Sequence, residues 1–478
     1  MLKKLANLSV AVKASISFFI ATLITKGISF IATPIFTRLL STEVFGQVSV
    51  YYSWMQLFGI IAMFCLSYGV FNVGLLDYPN KRDEFSFSML ILSNIITICF
   101  AGIIFCLYPF VKDYLHLSIS MLVLMIVFFL FQPAYLFWLA RQKYEYKYKW
   151  PFFWSSFAAI LSIVVPVLLI VLSKNEANNL YYRIFGAEVA LIVVYIGFYV
   201  FLAVKSKFKV NPSYWKFVLL FNLPLIPHYL SAFILSSSDK IMISYLISDE
   251  ATAYYTVAYQ IATIALILWS AIDASFMPYT FQKLKGNDYE SIKRISIPIL
   301  SIFAIGCFIV IMLGPEIVRL LSTEGYEQAA NVIPPVVGGV FFQIQYFLYS
   351  NVLYFYKKPR YVMIGSVVAA SLNIALNYFC IKRFGYIAAA FTTLGCYFIQ
   401  AFIDYFAMRK VSKHNIYNMK FVVCLSLVVT LVSVFGSFLY KETYARYAII
   451  LMFLFLPLVF WKKICGVFVE MKKAKKNG

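Results

Sequence analysis

Fourteen apolar runs divide this sequence, near residues 15–37, 45–72, 87–110, 118–140, 151–172, 181–204, 216–237, 252–280, 294–313, 330–355, 361–381, 387–408, 420–440 and 445–463. Each is roughly 20 residues long, the length that crosses the hydrocarbon core of a bilayer as a helix. Lipid offers no water to backbone N–H and C=O groups, so repeated crossings of this kind must be α-helical. Composition agrees: 62% of the 478 residues are hydrophobic and 13% are charged, where a soluble domain carries about 25% charged residues. The expected fold is an all-α polytopic membrane protein of about 14 transmembrane helices.

The formal charge of +21 is not a nucleic-acid footprint, because the basic residues are dispersed through short loops. They alternate instead. The N-terminus, NKRDEF, RQKYEYKYK, KSKFK, QKLKGNDYESIKR, KKPR, RKVSKHN and the tail KKAKKNG hold, with their flanks, 30 of the 41 Lys and Arg. The opposite loops, among them SKNEANN and SDKIMISYLISDE, hold 10, and Lys26 alone is left within the membrane. Lys and Arg favour the cytoplasmic side, which puts both termini there. The short basic start runs straight into a full-length span, so no cleavable signal peptide is expected. Every loop is too short for a folded extramembrane domain.

The eight cysteines form no CxxC pair, and the three histidines, His116, His228 and His414, are scattered. Neither a disulfide framework nor a metal site is expected. No GxxxxGK[ST] loop is present, which argues against ATP hydrolysis by this chain. No catalytic residue and no cofactor are assigned.

A faint repeat organises the spans. Leu40-Ser41-Thr42-Glu43 follows the first span and Ile247-Ser248-Asp249-Glu250 follows the seventh. Ser155, Ala158, Ala159, Leu161 and Ile163 match Ser366, Ala369, Ala370, Leu372 and Ile374 in order and spacing. Two six-helix lobes of like orientation are expected, as in parallel-repeat transporters. They would occupy residues 1–210 and 211–412, with an extra helix pair and a basic tail over 413–478.

Lys26 lies near the middle of SFFIATLITKGISFIATPIF. A charge at the bilayer centre costs about 2.5–3.5 kcal/mol and usually faces a cavity or a partner. On a helical wheel Ser15, Thr22, Ser29 and Thr33 fall on the side of Lys26, forming one polar stripe that should face the interior. Glu188, Asp273 and Asp404 also fall within spans, Asp404 close enough to a helix end to snorkel. Gln56, Asn94, Gln132, His228, Gln343, Gln345, Asn373 and Asn377 add polarity. Two readings of Lys26 stand side by side: an ion pair with Asp273 or Glu188 that locks helices together, or a docking point for an anionic substrate. His228 is of a type that titrates near neutral pH and could follow a proton gradient; a plain hydrogen-bonded role is the alternative.

TPIFTRLLSTEVFGQVSVYYSW (33–54) resembles the junction of spans 1 and 2 in polysaccharide flippases of the multidrug/oligosaccharidyl-lipid/polysaccharide exporter superfamily. SSSDKIMISYLISDEATAYYTVAYQI (236–261) is similar to their junction of spans 7 and 8, with Asp239-Lys240 after a helix. FMPYTFQKLKG, GYEQAANVIPPV and NYFCIKRFGYIAAAFTTLGCY fit later family patterns in the right order. The resemblance implies two lobes around a central cavity that opens alternately to each side of a bacterial cytoplasmic membrane. It implies transport of a polyprenyl-pyrophosphate-linked oligosaccharide, such as an O-antigen or capsule repeat unit, to the outer leaflet. Partners would be that glycan lipid, membrane lipid and other glycan-assembly proteins, with no nucleic acid. Lys26, Thr22, Ser29 and Thr33 would meet the pyrophosphate; Asp273, Glu188 and His228 would serve pairing or ion coupling. Spans 13 and 14 resemble the pair that helps form a lipid-tail groove in lipid II flippases. Those relatives carry several basic cavity residues, where this chain has one deep lysine and Asp273 in its second lobe.

Two other functions fit parts of the sequence. A cation-coupled multidrug antiporter of the same superfamily would use Asp273 and Glu188. A membrane-embedded glycan polymerase would need a sizeable outer loop, which this chain does not have.

Overall fold

The computed structural model describes residues 30–173 and 175–459, together with Ile20, Thr25, Gly27 and Ile28. Among the described residues there is no strand, and eleven helical segments are long and apolar enough to cross a membrane. The protein is an all-helical, multi-pass membrane protein.

The chain divides into two compact units, Met1–Phe233 and Ile234–Gly478. The first holds α1 (Phe30–Leu39), α2 (Thr42–Ala62), α3 (Gly69–Asp77), α4 (Arg82–Leu115), α5 (Ile119–Tyr144), α6 (Lys149–Ser173), α7 (Asn179–Lys205), α8 (Ser213–Asn222) and α9 (Ile226–Phe233). The second begins with a π-helical turn, Ile234–Ser238, and continues through α10 (Asp239–Leu246), α11 (Asp249–Lys285), α12 (Tyr289–Met312) and α13 (Gly314–Leu321). It ends with α14 (Ile333–Phe355), α15 (Pro359–Phe384), α16 (Ile387–Ser412), α17 (Met419–Phe435) and α18 (Thr443–Val459).

The two matching tetrapeptides of the repeat are helix caps. Ser41 Oγ accepts from Val44 N at 3.3 Å to start α2, and Ser248 Oγ accepts from Ala251 N at 3.1 Å to start α11. Glu43 and Asp249 with Glu250 sit in the first turns, where a carboxylate meets the positive end of the helix dipole.

Three expectations change. The second span is not one helix. α2 stops at Ala62, and a turn leads to α3 at Gly69. Phe64 and Cys65 take left-handed conformations, φ 52° and 49°, which cost a non-glycine residue about 1–2 kcal/mol each. Cross-helix bonds hold the break: Asn222 Nδ2 donates to Phe64 O at 2.8 Å, and Thr97 Oγ1 donates to Ala62 O at 3.0 Å. Second, SDKIMISYLISDE is not an outer loop. Its first half is α10, leaving only Ile247 and Ser248 to join α10 to α11. Lys240 therefore lies inside a segment long and apolar enough to cross a membrane, Ser213–Leu246. Third, Asp404 does not snorkel; it is fully buried. The first and last spans lie partly outside the described residues, which leave the short apolar helices Phe30–Leu39 and Thr443–Phe453 there.

The core of the second unit is α14, where nearly every residue is buried. Gly338 lets two neighbours close on it. A Cβ there would lie 2.2 Å from Ser433 Oγ of α17 and 2.9 Å from Leu394 Cδ1 of α16.

Candidate functional site

Asp239 opens α10 and is 0% exposed. A carboxylate this deep needs donors, and three neighbours supply them. Asn377 Nδ2 of α15 donates to Oδ1 at 2.6 Å. Thr393 Oγ1 of α16 donates to Oδ2 at 2.8 Å, and the Tyr255 hydroxyl of α11 donates to the same oxygen. Behind them Asn373 Nδ2 donates to Thr393 Oγ1 at 3.0 Å, Asn377 Nδ2 reaches Asn373 Oδ1 at 3.2 Å, and Thr392 donates to Asn377 Oδ1. The ammonium of Lys240 lies 5.5 Å from the centre of the Tyr259 ring, a cation–π distance. The oxygens are those of a carboxylate, amides and hydroxyls, with one formal negative charge, which the neighbouring Lys240 ammonium partly offsets. Such a set suits a proton or a hard monovalent cation and lacks the charge that a divalent ion needs.

The sequence named Asn373 and Asn377 as span residues but left Asp239 in a loop. The available signal was their i, i+4 spacing, which puts both amides on one helix face and calls for a buried polar partner on another helix.

Asp273 of α11 accepts from Asn351 Nδ2 of α14 at 2.8 Å. In the first unit, Glu188 of α7 is buried with Oε2 unpartnered, and its carboxyl faces the Tyr52 hydroxyl. Arg183 Nη1 donates to that hydroxyl at 3.3 Å, and its guanidinium lies 4.0 Å from the centre of the Phe36 ring of α1. Sequence reasoning passed over Arg183, which is the cation the structure brings close to Glu188. His228 of α9 is half-buried with Nδ1 unpartnered, beside Tyr229. Thr33 is buried on α1; Lys26, Thr22 and Ser29 lie outside the described residues.

The C-terminal helix pair forms an apolar groove with α12. It encloses about 260 Å³ lined by Phe308 and Ile311 of α12, Leu425, Val428 and Val432 of α17, and Phe453 of α18. Such a lining suits an extended hydrocarbon.

Comparison with known proteins places this arrangement. The profile of a family described as polysaccharide biosynthesis protein matches residues 11–284, more than half of the chain. The MatE family profile matches residues 224–379. A protein of the Lsg locus of Haemophilus influenzae is 23% identical over 399 residues, which cover 76% of this chain and 89% of that protein. A membrane protein of Methanocaldococcus jannaschii is 25% identical over 296 residues, 58% of this chain and 56% of its own length. Among solved structures, the lipid II flippase MurJ in an inward closed conformation aligns with a TM-score of 0.66 at 14% identity, covering 95% of this chain and 100% of that one. An inward-facing multidrug resistance MATE transporter of the MOP superfamily aligns with a TM-score of 0.61 at 13% identity, over 84% of this chain and 98% of its own. The MurJ and MATE likenesses are likenesses of fold. By its match to the polysaccharide biosynthesis family over more than half its length, with the MatE match and the shared fold, this chain belongs to that family and to the MOP superfamily of transporters and flippases.

Proposed function

We propose that this protein is a secondary transporter, not an enzyme, that flips a polyprenyl-pyrophosphate-linked oligosaccharide from the inner to the outer leaflet of a bacterial cytoplasmic membrane. Both termini face the cytoplasm, and the O-antigen or capsule repeat unit is the class of cargo. The observation that carries the lipid-linked reading is the apolar groove between α12, α17 and α18, which fits a polyprenyl chain better than a soluble solute. The two six-helix lobes alternate their openings. Lys26 and its stripe of Thr22, Ser29 and Thr33 dock the pyrophosphate, since an ammonium and hydroxyl donors match its charge and acceptors. Asp239, ringed by Asn377, Thr393 and Tyr255, is the group that responds to the driving ion. Its three neutral donors stabilise the charged carboxylate, and one of them can give way to a monovalent cation or proton. Glu188 with Arg183, Asp273 with Asn351, and His228 are secondary members of the coupling machinery.

A cation-coupled multidrug antiporter is the second reading, favoured by the MatE match over residues 224–379 and by the buried acids. Complementation decides between them. A host lacking its own flippase is supplied with the chain carrying Lys26, Lys26→Ala or Lys26→Arg, and surface glycan and lipid-linked intermediate are assayed. Rescue by Lys and Arg but not by Ala, with intermediate trapped inside, is expected. Equal rescue by all three would remove the docking role from Lys26. Drug resistance without glycan rescue, across a panel of hosts, would replace the flippase by the antiporter.

A further inference from the structure

Asp404 is the buried carboxyl that the site above does not use. It lies about two turns before the end of α16, at the other end of the helix from Thr393. It is 0% exposed, and neither Oδ1 nor Oδ2 has a hydrogen-bond partner. An ionised carboxylate without donors in such a place costs several kcal/mol.

The surroundings have one specific shortage. Gln400, one helical turn earlier on the same face, donates from Nε2 to Ser366 Oγ of α15 at 3.0 Å, and Ser366 Oγ donates to Val362 O at 2.9 Å. Gln400 Oε1 is left buried with no donor. Three acceptor oxygens on this face of α16, Asp404 Oδ1 and Oδ2 and Gln400 Oε1, are thus each buried without a hydrogen-bond partner among the described residues. A single hydrogen on Asp404 corrects this, because its O–H would give Gln400 Oε1 the missing bond and complete a one-directional chain from Asp404 through Gln400 and Ser366 to Val362 O. Space argues for a proton over a metal ion: a Cβ at Gly365 would lie 2.9 Å from Oδ1, so the carboxyl already fills the room against α15. The titratable groups facing it are the hydroxyls of Tyr346 and Tyr354 from α14; α15 presents Gly365 and Ser366. On its own helix Arg409 stands about 140° around the axis.

We propose that Asp404 is a proton-binding site, occupied in this packed arrangement of α14, α15 and α16, and separate from the Asp239 site. The proton can leave only when these helices part enough for water or a cation to reach the carboxylate. The inference does not depend on what cargo is carried.

Infrared spectroscopy of the purified full-length protein tests it. The carbonyl band of a protonated carboxyl is expected at neutral pH in the unmodified protein, absent from Asp404→Asn and retained in Asp239→Asn. Should Asp404→Asn fail to fold, Gln400→Leu removes the acceptor and is expected to shift the same band. A difference spectrum between the unmodified protein and Asp404→Asn that shows only ionised-carboxylate bands would overturn the proposal, as would a band unmoved by Gln400→Leu. Loss of the Asp404-dependent band when sodium replaces choline at constant pH would also overturn it, in favour of a metal-cation site.

Discussion

Arg446 and Glu316 form a bidentate ion pair, Nη1 to Oε2 at 2.8 Å and Nη2 to Oε1 at 2.6 Å. It ties α18 to α13. Arg446 Nη1 also donates to Met312 O at 2.8 Å, and the Tyr447 hydroxyl donates to Glu316 Oε1 at 2.8 Å. Removing one partner of a buried pair costs about 3–5 kcal/mol; with the Glu316 side chain 33% exposed, about 2 kcal/mol is expected for Arg446→Met. Arg446→Lys should recover only part, because an ammonium cannot make the fork. Burial alone would raise the Glu316 carboxyl, but Tyr447, the backbone and Arg446 together hold it below its ordinary 4.5. Its contribution is therefore complete above pH 4.5 and fades as pH falls below that. Thermal melts of both variants against pH check this.

Gly338→Ala is expected to destabilise the second unit by about 1–3 kcal/mol through overpacking. The new methyl would meet Ser433 Oγ and Leu394 Cδ1. Ser433→Gly alone should cost little, and the double variant should melt above Gly338→Ala. Additive losses in the double-mutant cycle would mean that α14 and α17 do not meet at this point.

The Asp239 network gives an ordered series. Thr393→Val removes one donor, and a loss of about 1 kcal/mol is expected. Asp239→Ala strands the Tyr255, Asn377 and Thr393 donors at once, and should cost several times that. Asp239→Asn keeps the volume, so folding should survive while transport loses its dependence on the cation gradient. Transport assays in vesicles with imposed sodium or proton gradients read this out.

Asp288 caps α12. Lys283 Nζ donates to it at 2.6 Å, and Ser291 donates from its backbone N at 3.1 Å and from its hydroxyl at 2.7 Å. Lys283, then Ser291, pull its carboxyl down from 3.8 to about 2. Asp288→Ala should cost about 1 kcal/mol, the usual worth of a cap. The folded value is depressed, so the difference from the unmodified protein should be constant above about pH 4 and vanish on acidification toward pH 2.

Hydropathy made the crossing helices legible because lipid imposes one rule on every residue of a span. It failed where a distant partner decides. Nothing local in IIAMFCLSYGVFN announces that the helix stops at Ala62; the break is held by Asn222 and Thr97, which are remote in sequence. Asp239 sat among enough polar neighbours to read as loop, and its partners Asn377 and Thr393 lie more than a hundred residues on. Asp404 read as a residue near a helix end, yet Gly365 leaves a space into which its carboxyl packs. Of the stripe drawn around Lys26, Thr33 is buried, and the other members lie outside the described residues.

The π-helical turn at Ile234–Ser238 carries one residue more than an α-turn would need. Each residue of an α-helix advances the phase by about 100°. The serine run Ser236–Ser238 therefore acts as an angular shim. Within Ile234–Leu246, Asp239 is therefore displaced by about a quarter turn from where an uninterrupted α-helix would put it. Without that insertion, the direction that now belongs to a carboxylate among Asn377, Thr393 and Tyr255 would belong to a different side chain.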